Sequence, residues 1–523
     1  NVLYRSYVQS SGWQSFVKNG EVSGAIDQKN SLEAVEIKLE DIDENSEIEY
    51  RTATKESGWE KQFVTGENIS GTPKSGKKIE AIQIRLKGEI TDTYDVYYRA
   101  TSETLGKLGW AKNGESAGTE SLDYGLEAIE IKLVEKDSDE LKSSPKAFVR
   151  LPSVSYRSHV ESIGWQSYVK DGQQSGTSGQ KNRLEAVQVR IENTSLDGGI
   201  QYRTHIQDIG WESAFRSNDA VSGTSGKAKR LEAIQIKLTG DIAKYFDVYY
   251  RVHAQGFGWL DWAKNGESAG TEGLAYRLES LQIRLIKKGS NELVSSPKAF
   301  VKRPILSYRS HVESIGWQNY VKDGQKTGTN GQKKRLEAIQ VRIENSGLAG
   351  SVQYRTHIQG IGWETSYKSN NGISGTTGKK KRLEAIQIKL TGDIAKYFDI
   401  YYRAHTQSLG WLSWAKNGES AGTEGMACRM EALEIRLVPK GSNQLTSNPK
   451  AFVRAPTVSY RTHVQGIGWQ NYVKNGQTSG TSGQKRRVEA LQIKTENSTL
   501  TGGIQYRTHI QNIGWESSSK YNN

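Results

Sequence analysis

Tryptophan is the residue with the clearest binding chemistry in this chain, because it recurs at one fixed position of a repeated motif. Each of the eleven copies begins with Tyr-Arg, and in ten of them a Gly-Trp pair places the tryptophan eight residues after the arginine, where the third copy has Lys107. An exposed aromatic ring repeated in this way could stack on sugar rings and form an array of weak glycan sites. A ring at a fixed place can equally serve packing, where it buries about 200 Å², and we expect this structural role in the core. The ten motif tryptophans are Trp13, Trp59, Trp165, Trp211, Trp259, Trp317, Trp363, Trp411, Trp469 and Trp515.

A second tryptophan occurs only in every third copy of the motif. It stands where other copies carry another aromatic residue, such as Phe16 or Tyr168. Because these copies differ from the rest in this one ring, we assign the second tryptophan as the candidate ligand-stacking residue. The three positions are Trp110, Trp262 and Trp414.

Histidine and glutamate also recur, but their pattern does not indicate a metal centre or a catalytic pair. One histidine in a repeat, without cysteine or paired acidic residues, is a poor zinc site, and we expect a surface or interlobe hydrogen bond instead. A glutamate such as Glu185 recurs in all ten complete repeats. By alternation it falls on the face of Val187 and Val189, so it needs a partner. The Tyr-Arg guanidinium or an amide of the Ser-Gly-Thr loop could supply one. A catalytic carboxylate would be specific to one site, so we predict no enzyme activity, no cofactor and no metal. The histidines are His159, His205, His253, His311, His357, His405, His463 and His509.

The spacing of the motif indicates how these residues are organised. Successive motif tyrosines are 46, 48 and 58 residues apart, and the same three steps recur, so that three short repeats form one unit of 152 residues. A perfect grouping in threes predicts closed, pseudo-threefold domains joined in tandem rather than an open solenoid. The tyrosines, which number repeats 1 to 11 below, are Tyr4, Tyr50, Tyr98, Tyr156, Tyr202, Tyr250, Tyr308, Tyr354, Tyr402, Tyr460 and Tyr506.

The longest step of each group contains a linker. Six of the eight prolines lie in these three segments, and proline cannot donate to a sheet ladder, so it marks domain boundaries. Each linker also carries a Phe-Val pair, which favours an extended and partly docked strut over a flexible tether. The predicted domains are 1–142, which is divergent and acidic, 153–294, 305–446 and an incomplete fourth at 457–523; the linkers are 143–152, 295–304 and 447–456.

Each repeat is predicted to contain about four strands and no helix. Tyr202, Thr204 and Ile206 alternate with polar residues, as in a half-buried strand. A Lys-Asn-Gly or Lys-Asp-Gly turn then predicts a hairpin, and Leu184 begins a second alternating run. Three such units in about 140 residues predict an all-β fold of the β-trefoil type, with a β-prism as the alternative, because both have this size and symmetry.

Hydropathy and charge disfavour two kinds of partner, the membrane and nucleic acid. No apolar run approaches the ~20 residues that span a bilayer, which predicts no membrane insertion. The net charge of +13 is uneven, since residues 1–150 carry −7 and the remainder +20. The lysines of the basic part are spread over many repeats, as on a solvated face, so nucleic acid is an unfavoured partner. The contrast between an acidic first domain and basic later ones favours head-to-tail self-association.

The motif as a whole resembles a known family. The unit Tyr-Arg-x-His-(Val/Ile)-Gln-x-Ile-Gly-Trp, with Ser-Gly-Thr-x-Gly and Arg-Leu-Glu-Ala after it, is similar to the ChW repeat, the clostridial hydrophobic repeat named for its Gly-Trp. The resemblance covers ten full units and part of an eleventh. It implies a secreted or surface-associated protein of a Gram-positive anaerobe, acting in adhesion, polymer binding or surface assembly, and it implies no chemistry.

We therefore expect a secreted, non-catalytic, multivalent protein of the cell surface that acts in extracellular assembly or adhesion. The alternative is an array of carbohydrate-binding or cell-wall-polymer-binding modules attached to something beyond the given sequence. Self-association and binding of a glycan or an anionic cell-wall polymer are the expected partnerships. The chain starts without Met or a signal segment and stops within repeat 11. We accordingly expect a processed N-terminus, and a fourth domain that either continues or is completed by a neighbour.

Overall fold

The computed structural model is built almost entirely of β-strands, which confirms the all-β class. It describes residues 1–344, 347–442, 444–497 and 499–522. The chain forms two compact units, which are Asn1–Gly270 with Tyr276–Ala299, and Thr271–Ala275 with Phe300–Asn523.

Two long strands define each repeat. The first strand carries Tyr-Arg, and the last strand carries the Leu-Glu-Ala segment. The first strands are Val2–Val8, Ser46–Thr54, Tyr94–Ser102, Ser153–Val160, Gly198–Ile206, Phe246–Ala254, Ile305–Val312, Val352–Ile358, Phe398–Thr406 and Thr457–Val464, with Gln505–Tyr506 and His509–Ile510 in repeat 11. The last strands are Leu32–Leu39, Ile79–Gly88, Leu126–Glu135, Leu184–Glu192, Leu231–Gly240, Leu278–Lys287, Leu336–Glu344, Leu383–Leu390, Met430–Pro439 and Val488–Glu496.

Between the two long strands of a repeat, the chain forms two or three short strands. The Gly-Trp strands are Gly12–Trp13, Gly58–Trp59, Gly106–Lys107, Gly164–Trp165, Gly210–Trp211, Gly258–Trp259, Gly316–Trp317, Gly362–Trp363, Gly410–Trp411, Gly468–Trp469 and Gly514–Trp515. The turn strands are Val17–Lys18, Val64–Thr65, Ala111–Lys112, Val169–Lys170, Arg216–Ser217, Ala263–Lys264, Val321–Lys322, Lys368–Ser369, Ala415–Lys416, Val473–Lys474 and Lys520–Tyr521. The bridging strands are Ser23–Gly24, Ile69–Gly71, Ser116–Glu120, Ser175–Gly176, Ser222–Gly223, Ser268–Glu272, Lys326–Gly328, Ser374–Gly375 and Ser420–Glu424.

The prediction that the repeats contain no helix is wrong in one respect. A single helical turn precedes the first strand of every third repeat, and its leading isoleucine is buried, as in Ile242. Burial of that one side chain stabilises a turn too short to persist alone. The helices are Ile90–Thr93, Ile242–Tyr245 and Ile394–Tyr397. The linkers hold 3₁₀ turns at Pro145–Ala147, Pro297–Ala299 and Pro449–Ala451, followed by strands at Phe148–Arg150, Phe300–Lys302 and Phe452–Arg454.

Within a repeat, the first and last strands pair in antiparallel register. In repeat 5, Tyr202 lies opposite Ile236, and Tyr202, Thr204 and Ile206 are all buried. This confirms the alternation read from the sequence. The Gly-Trp strand folds back on the end of the first strand, so that Trp211 lies opposite His205.

A β-bulge interrupts this pairing at the same place in each complete repeat. In repeat 4, His159 pairs with Ala186 and Val160 with Leu184, which leaves Glu185 as the extra residue of the last strand. An extra residue shifts the side-chain alternation of its strand. The recurrent glutamate therefore occupies a special backbone position rather than an ordinary one of the ladder.

Bridging strands join neighbouring repeats to one another. In residues 153–287, Ser222–Gly223 pairs with the last strand of repeat 4, and Ala269 and Gly270 pair with the last strand of repeat 5. Ser175–Gly176 of repeat 4 pairs with the last strand of repeat 6. Equivalent pairings link repeats 1 to 3 and repeats 7 to 9. Among the residues described, no sheet closes into a barrel.

Nine of the eleven motif tyrosines, those of repeats 1 to 9, are fully buried and are the largest side chains of the core, whereas Tyr460 and Tyr506 are half-buried. Tyr202 is fully buried, accepts a hydrogen bond of 3.0 Å from the amide of Val189 in repeat 4, and donates to the carbonyl of Ala220 in its own repeat. Tyr4 makes the corresponding contact with Ile131, across from repeat 3. Burial raises the pKa of Tyr4 to about 12, so the phenol stays protonated. Tyr50, Tyr308 and Tyr354 accept the same kind of bond, so these tyrosines tie pairs of repeats together.

The Ser-Gly of the bridging strand permits the close approach of two backbones. Gly223 has a φ of 104°, and a Cβ atom there would lie 2.5 Å from the carbonyl oxygen of Glu185 in the preceding repeat. Only glycine combines this positive φ with that contact. The Gly in the Ser-Gly-Thr segment is thus a requirement of the junction between repeats.

We predict that Gly223→Ala destabilises the protein by well over ~1 kcal/mol, because it adds a backbone clash to the strain of an alanine at positive φ. Gly226→Ala is the matched control, since Gly226 also has a positive φ of 71° but open space around it. Urea denaturation of both variants measures the difference. Equal loss of unfolding free energy in the two would contradict the tight junction.

Candidate functional site

The outer face of each repeat carries a stack of aromatic and basic side chains. In repeat 4, the guanidinium of Arg157 lies 5.0 Å from the ring centre of Trp165 and 4.7 Å from that of Tyr168. A second cation comes from the last strand of the repeat: the guanidinium of Arg190 lies 3.9 Å from the ring centre of Tyr168. The order Trp, Arg, aromatic, cation is therefore fixed by cation–π contacts, each worth about 0.5–1 kcal/mol where exposed.

A histidine and the bulged glutamate continue this stack at the other side of the tryptophan. The His159 ring lies edge-on to Trp165 at 5.4 Å between ring centres, and its Nδ1 is 3.1 Å from Glu185 Oε2. Arg183 donates to the other oxygen of Glu185 from Nε and Nη2 at 3.0 and 2.9 Å. The carboxylate is nearly buried, and these two partners compensate for its loss of water.

The expected placement of the glutamate is wrong, and the bulge is the reason. Glu185 contacts His159 instead of lying with Val187 and Val189, because the extra residue shifts the alternation. Its guanidinium partner is Arg183, whereas the Tyr-Arg guanidinium of Arg157 binds Gln188. An amide of the Ser-Gly-Thr loop does reach the glutamate of another repeat in some copies, as where Gly179 N donates to Glu279 at 3.3 Å. The histidine lies beside this carboxylate of the same repeat, and in repeat 10 His463 makes the hydrogen bond, with Glu489 at 3.1 Å.

The pKa of this carboxylate reflects both burial and its partners. For Glu232 in repeat 5, burial raises the pKa, but hydrogen bonds from His205 and Arg230 outweigh burial and leave the pKa below its ordinary value. The depressed pKa means that the ionised form stabilises the fold at neutral pH and that this contribution is lost as acid protonates the group.

Repeat 3 replaces this aromatic arrangement by an ion-paired one. Lys107 stands at the motif tryptophan position, and its Nζ lies 2.8 Å from Glu130 Oε1. Arg99 also binds Glu130 at 2.6 Å and lies 4.3 Å from the Trp110 ring. Burial raises the pKa of Glu130, but the hydrogen bonds from Arg99 and Lys107 lower it overall. Repeat 3 thus replaces the motif tryptophan by a lysine that binds the carboxylate, while the arginine–glutamate pair itself also occurs in repeats 1 and 9.

The motif tryptophans do not lie in the buried core, so the expectation of core burial is wrong. Eight of the ten are half-buried, while Trp469 and Trp515 are exposed by 41% and 59%. Their contacts are nevertheless intramolecular, because an arginine lies over each ring, as Arg461 does at 4.8 Å from Trp469. The face of each of these rings that lies against its arginine is therefore already occupied by a contact within the repeat. The core tyrosine, rather than the tryptophan, is the residue that binds repeats together.

The three additional tryptophans anchor the linkers. The Trp110 carbonyl accepts a hydrogen bond of 2.8 Å from the amide of Ser144, and Trp262 and Trp414 make the same contact with Ser296 and Asn448. All three rings are half-buried and lie under the Tyr-Arg guanidinium, which is 4.8 Å from Trp262. The backbone of each of these tryptophans therefore holds a linker in place, a role that the aromatic side chain alone does not predict.

The linker itself is a docked strand. Phe148–Arg150 pairs in parallel with Gly118 to Glu120 of repeat 3, and Val149 is buried. Ser195 of repeat 4 donates a hydrogen bond of 2.7 Å to the Phe148 carbonyl. In the second unit, Phe452–Arg454 pairs with repeat 9 in the same way. Each of these linkers is thus held as an added strand of the preceding sheet.

The described ranges contain no cluster of three or more His, Cys, Asp or Glu side chains that could hold a metal ion. In the same ranges no helix is long and apolar enough to cross a membrane. The side chains that recur around the repeats are therefore those of the aromatic–basic stack and of the linker grooves described below.

Comparison with known families confirms the resemblance seen in the motif. The profile described as Clostridial hydrophobic W matches the chain nine times, and this protein belongs to the ChW family. The matches are residues 7–41, 105–135, 159–193, 205–240, 253–287, 311–345, 357–392, 405–439 and 463–497. Repeat 2 lies outside them, although Tyr50 occupies the same buried place. No curated protein and no solved structure matches the chain.

We predict that Trp211→Ala lowers the free energy of unfolding by less than the ~3–5 kcal/mol expected for a fully buried tryptophan, because the Trp211 ring is only half-buried. The loss comes from its contacts with His205 and Arg203. Thermal and urea denaturation measure it, with Tyr202→Ala as the comparison that empties a core position. A larger loss for the tryptophan variant than for the tyrosine variant would contradict this order.

Proposed function

We propose that this chain is a secreted, non-catalytic, multivalent protein of the cell surface that acts in adhesion or extracellular assembly. Its repeats act in groups of three, and each group forms one closed, pseudo-threefold domain. Support comes from the pairing of Ser175–Gly176 in repeat 4 with the last strand of repeat 6. That pairing joins the third repeat of the group to the first repeat, within the predicted domain 153–294.

The three sheets of each group favour a prism-like domain over the trefoil. A trefoil needs a barrel formed by the long strands of all three repeats. In residues 1–135 the long strands instead pair within their own repeat, as Val2–Val8 does with Leu32–Leu39. Side chains of all three repeats then meet in one buried cluster that includes Tyr4, Tyr50 and Tyr98. We therefore propose three small sheets around a common core.

The docked linker is the observation that carries the functional proposal. A linker strand joined to the preceding sheet restricts the motion of the next domain, as the parallel pairing of Val149 with Thr119 indicates. Domains held at a restricted spacing can engage a polymer at several points at once, because little entropy is lost after the first contact. This arrangement suits binding to an extended surface polymer better than it suits catalysis.

Self-association is the second mode that the chain supports. The acidic first domain and the basic later ones, at −7 and +20, would attract each other between molecules at low salt. A glycan or an anionic polymer of the cell wall is the proposed external partner, and nucleic acid is not. Attachment to further modules beyond this sequence is compatible with either mode.

Binding of the full chain to isolated Gram-positive cell envelopes tests the proposal. We expect saturable binding that falls at least ~10² in affinity when the linkers are undocked, which is a typical contribution of avidity. The undocking variant is Val149→Asp, Val301→Asp and Val453→Asp, at three buried linker positions. Circular dichroism establishes that the domains remain folded. Absence of envelope binding, or equal binding by the folded variant, would overturn the proposal.

A further inference from the structure

A groove of similar size lies beside each of the three linkers. Their volumes are about 700, 680 and 730 Å³, which is the range of small-molecule and oligosaccharide sites. Each groove is bordered by the linker strand on one side and by a loop of the following repeat on the other. We call them the linker grooves, and their central residues are Phe148 and Arg150 in the first, Phe300 and Lys302 in the second, and Phe452 and Arg454 in the third.

The same pair of side chains lies at the centre of each linker groove. A phenylalanine ring is half-buried, and a basic residue lies over it, at 5.3 Å for Arg150 over Phe148. The corresponding distance is 5.6 Å for Lys302 over Phe300. In the first and third grooves the phenylalanine also contacts a motif tryptophan, Trp59 at 6.4 Å in the first. A flat aromatic and basic surface thus faces each groove.

Small polar side chains complete the lining of the first and third grooves, whereas Arg303, Ile305 and two glycines complete that of the second. In the first groove these include Ser116, Ser143 and Asn193, and in the third Ser420, Ser447 and Asn497. Hydroxyl and amide groups both donate and accept hydrogen bonds, and they match the hydroxyl groups of a sugar. A stacking surface with such groups around it is the combination that orients a polyhydroxylated ring.

The charge of the grooves argues against a polyanion. One glutamate and one arginine line the first groove, Glu115 and Arg150, and the third likewise has one of each. A site built for teichoic acid or another phosphate polymer would concentrate cations. The second groove has Glu272 beside Lys302 and Arg303, a net charge of +1. No groove therefore concentrates cations, which fits an uncharged glycan better than a polyanion.

Stability does not account for the basic residue at this position. Arg150 is paired with Glu120, but the two side chains are 62% and 44% exposed, and an exposed pair contributes only about 0–1 kcal/mol. Lys302 and Arg454 form the same exposed pair with Glu272 and Glu424. Arginine has five N–H donors in a flat fork, so the pair with glutamate leaves donors that can bind a ligand.

We propose that the three linker grooves are binding sites for segments of an uncharged glycan chain. A sugar ring packs against the Phe and basic side chains. Its hydroxyls are bound by the surrounding hydroxyl and amide groups in the first and third grooves, and by Glu272 and Arg303 in the second. The inference rests on the proposed function of multivalent surface binding, and it names both the site and the class of polymer. Three such sites on one chain provide the avidity that a single shallow groove lacks.

The test uses the full chain and Gram-positive sacculi, compared before and after acid extraction of their anionic polymers. The groove variant is Arg150→Ala, Lys302→Ala and Arg454→Ala. The matched control removes three equally exposed lysines of equivalent loops, as Lys77→Ala, Lys227→Ala and Lys379→Ala. Both variants lose three positive charges, so a general charge effect is common to them. Circular dichroism and urea denaturation verify that both remain folded.

We expect the wild type and the control to bind extracted sacculi with equal affinity, changed less than twofold between 50 and 500 mM salt, and the groove variant to bind at least ~10-fold more weakly. Equal binding by the groove variant would overturn the assignment of the site. Binding that disappears on extraction, or falls steeply with salt, would overturn the class of polymer. If the wild type binds neither preparation, the proposed function itself fails, and the groove proposal fails with it.

Discussion

The structure depends on one hydrogen-bonded contact, made by the buried motif tyrosines. The hydroxyl accepts a bond from the last strand of another repeat and donates to a turn of its own, as Tyr202 does with Val189 and Ala220. A buried amide and a buried carbonyl are satisfied by one phenol, and leaving either unpaired costs about 1–3 kcal/mol. The contact from Tyr4 to Ile131 joins the first repeat to the third.

The other recurrent residues follow from the position of this tyrosine. Glycine in the bridging strand allows the neighbouring backbone to approach, as Gly223 does at Glu185. The arginine after each tyrosine points the other way, where rings such as Trp165 and Tyr168 hold it. The inner face of a repeat thus builds the domain, and the outer face is held by contacts within the repeat. The regular pattern is interrupted at the linkers, where we propose that external ligands bind.

Much of the fold could be predicted from the sequence, because strands that are buried on one face alternate visibly. The bulge was missed, although it has a signal: Leu184 and Ala186 follow one phase of alternation, while Val187 and Val189 follow the other. The short helices depend on one buried isoleucine and give no periodic pattern. The motif tryptophans are predicted in the core because a large aromatic ring is usually buried. The arginine that contacts each ring lies on another strand, so the sequence does not show this contact. The linker grooves arise only when separate segments meet, so no motif marks them.

Replacement of Tyr202 by phenylalanine tests the central contact most directly, because it removes the hydroxyl and keeps the ring. Amide hydrogen exchange at Val189 and the free energy of unfolding are the quantities to measure, with Tyr168→Phe, whose hydroxyl binds Asp219 at 2.7 Å, as the control. Our account predicts faster exchange at Val189 and a loss of about 1–3 kcal/mol, against a smaller loss in the control. Unchanged exchange at Val189 with a loss below ~0.5 kcal/mol would contradict it.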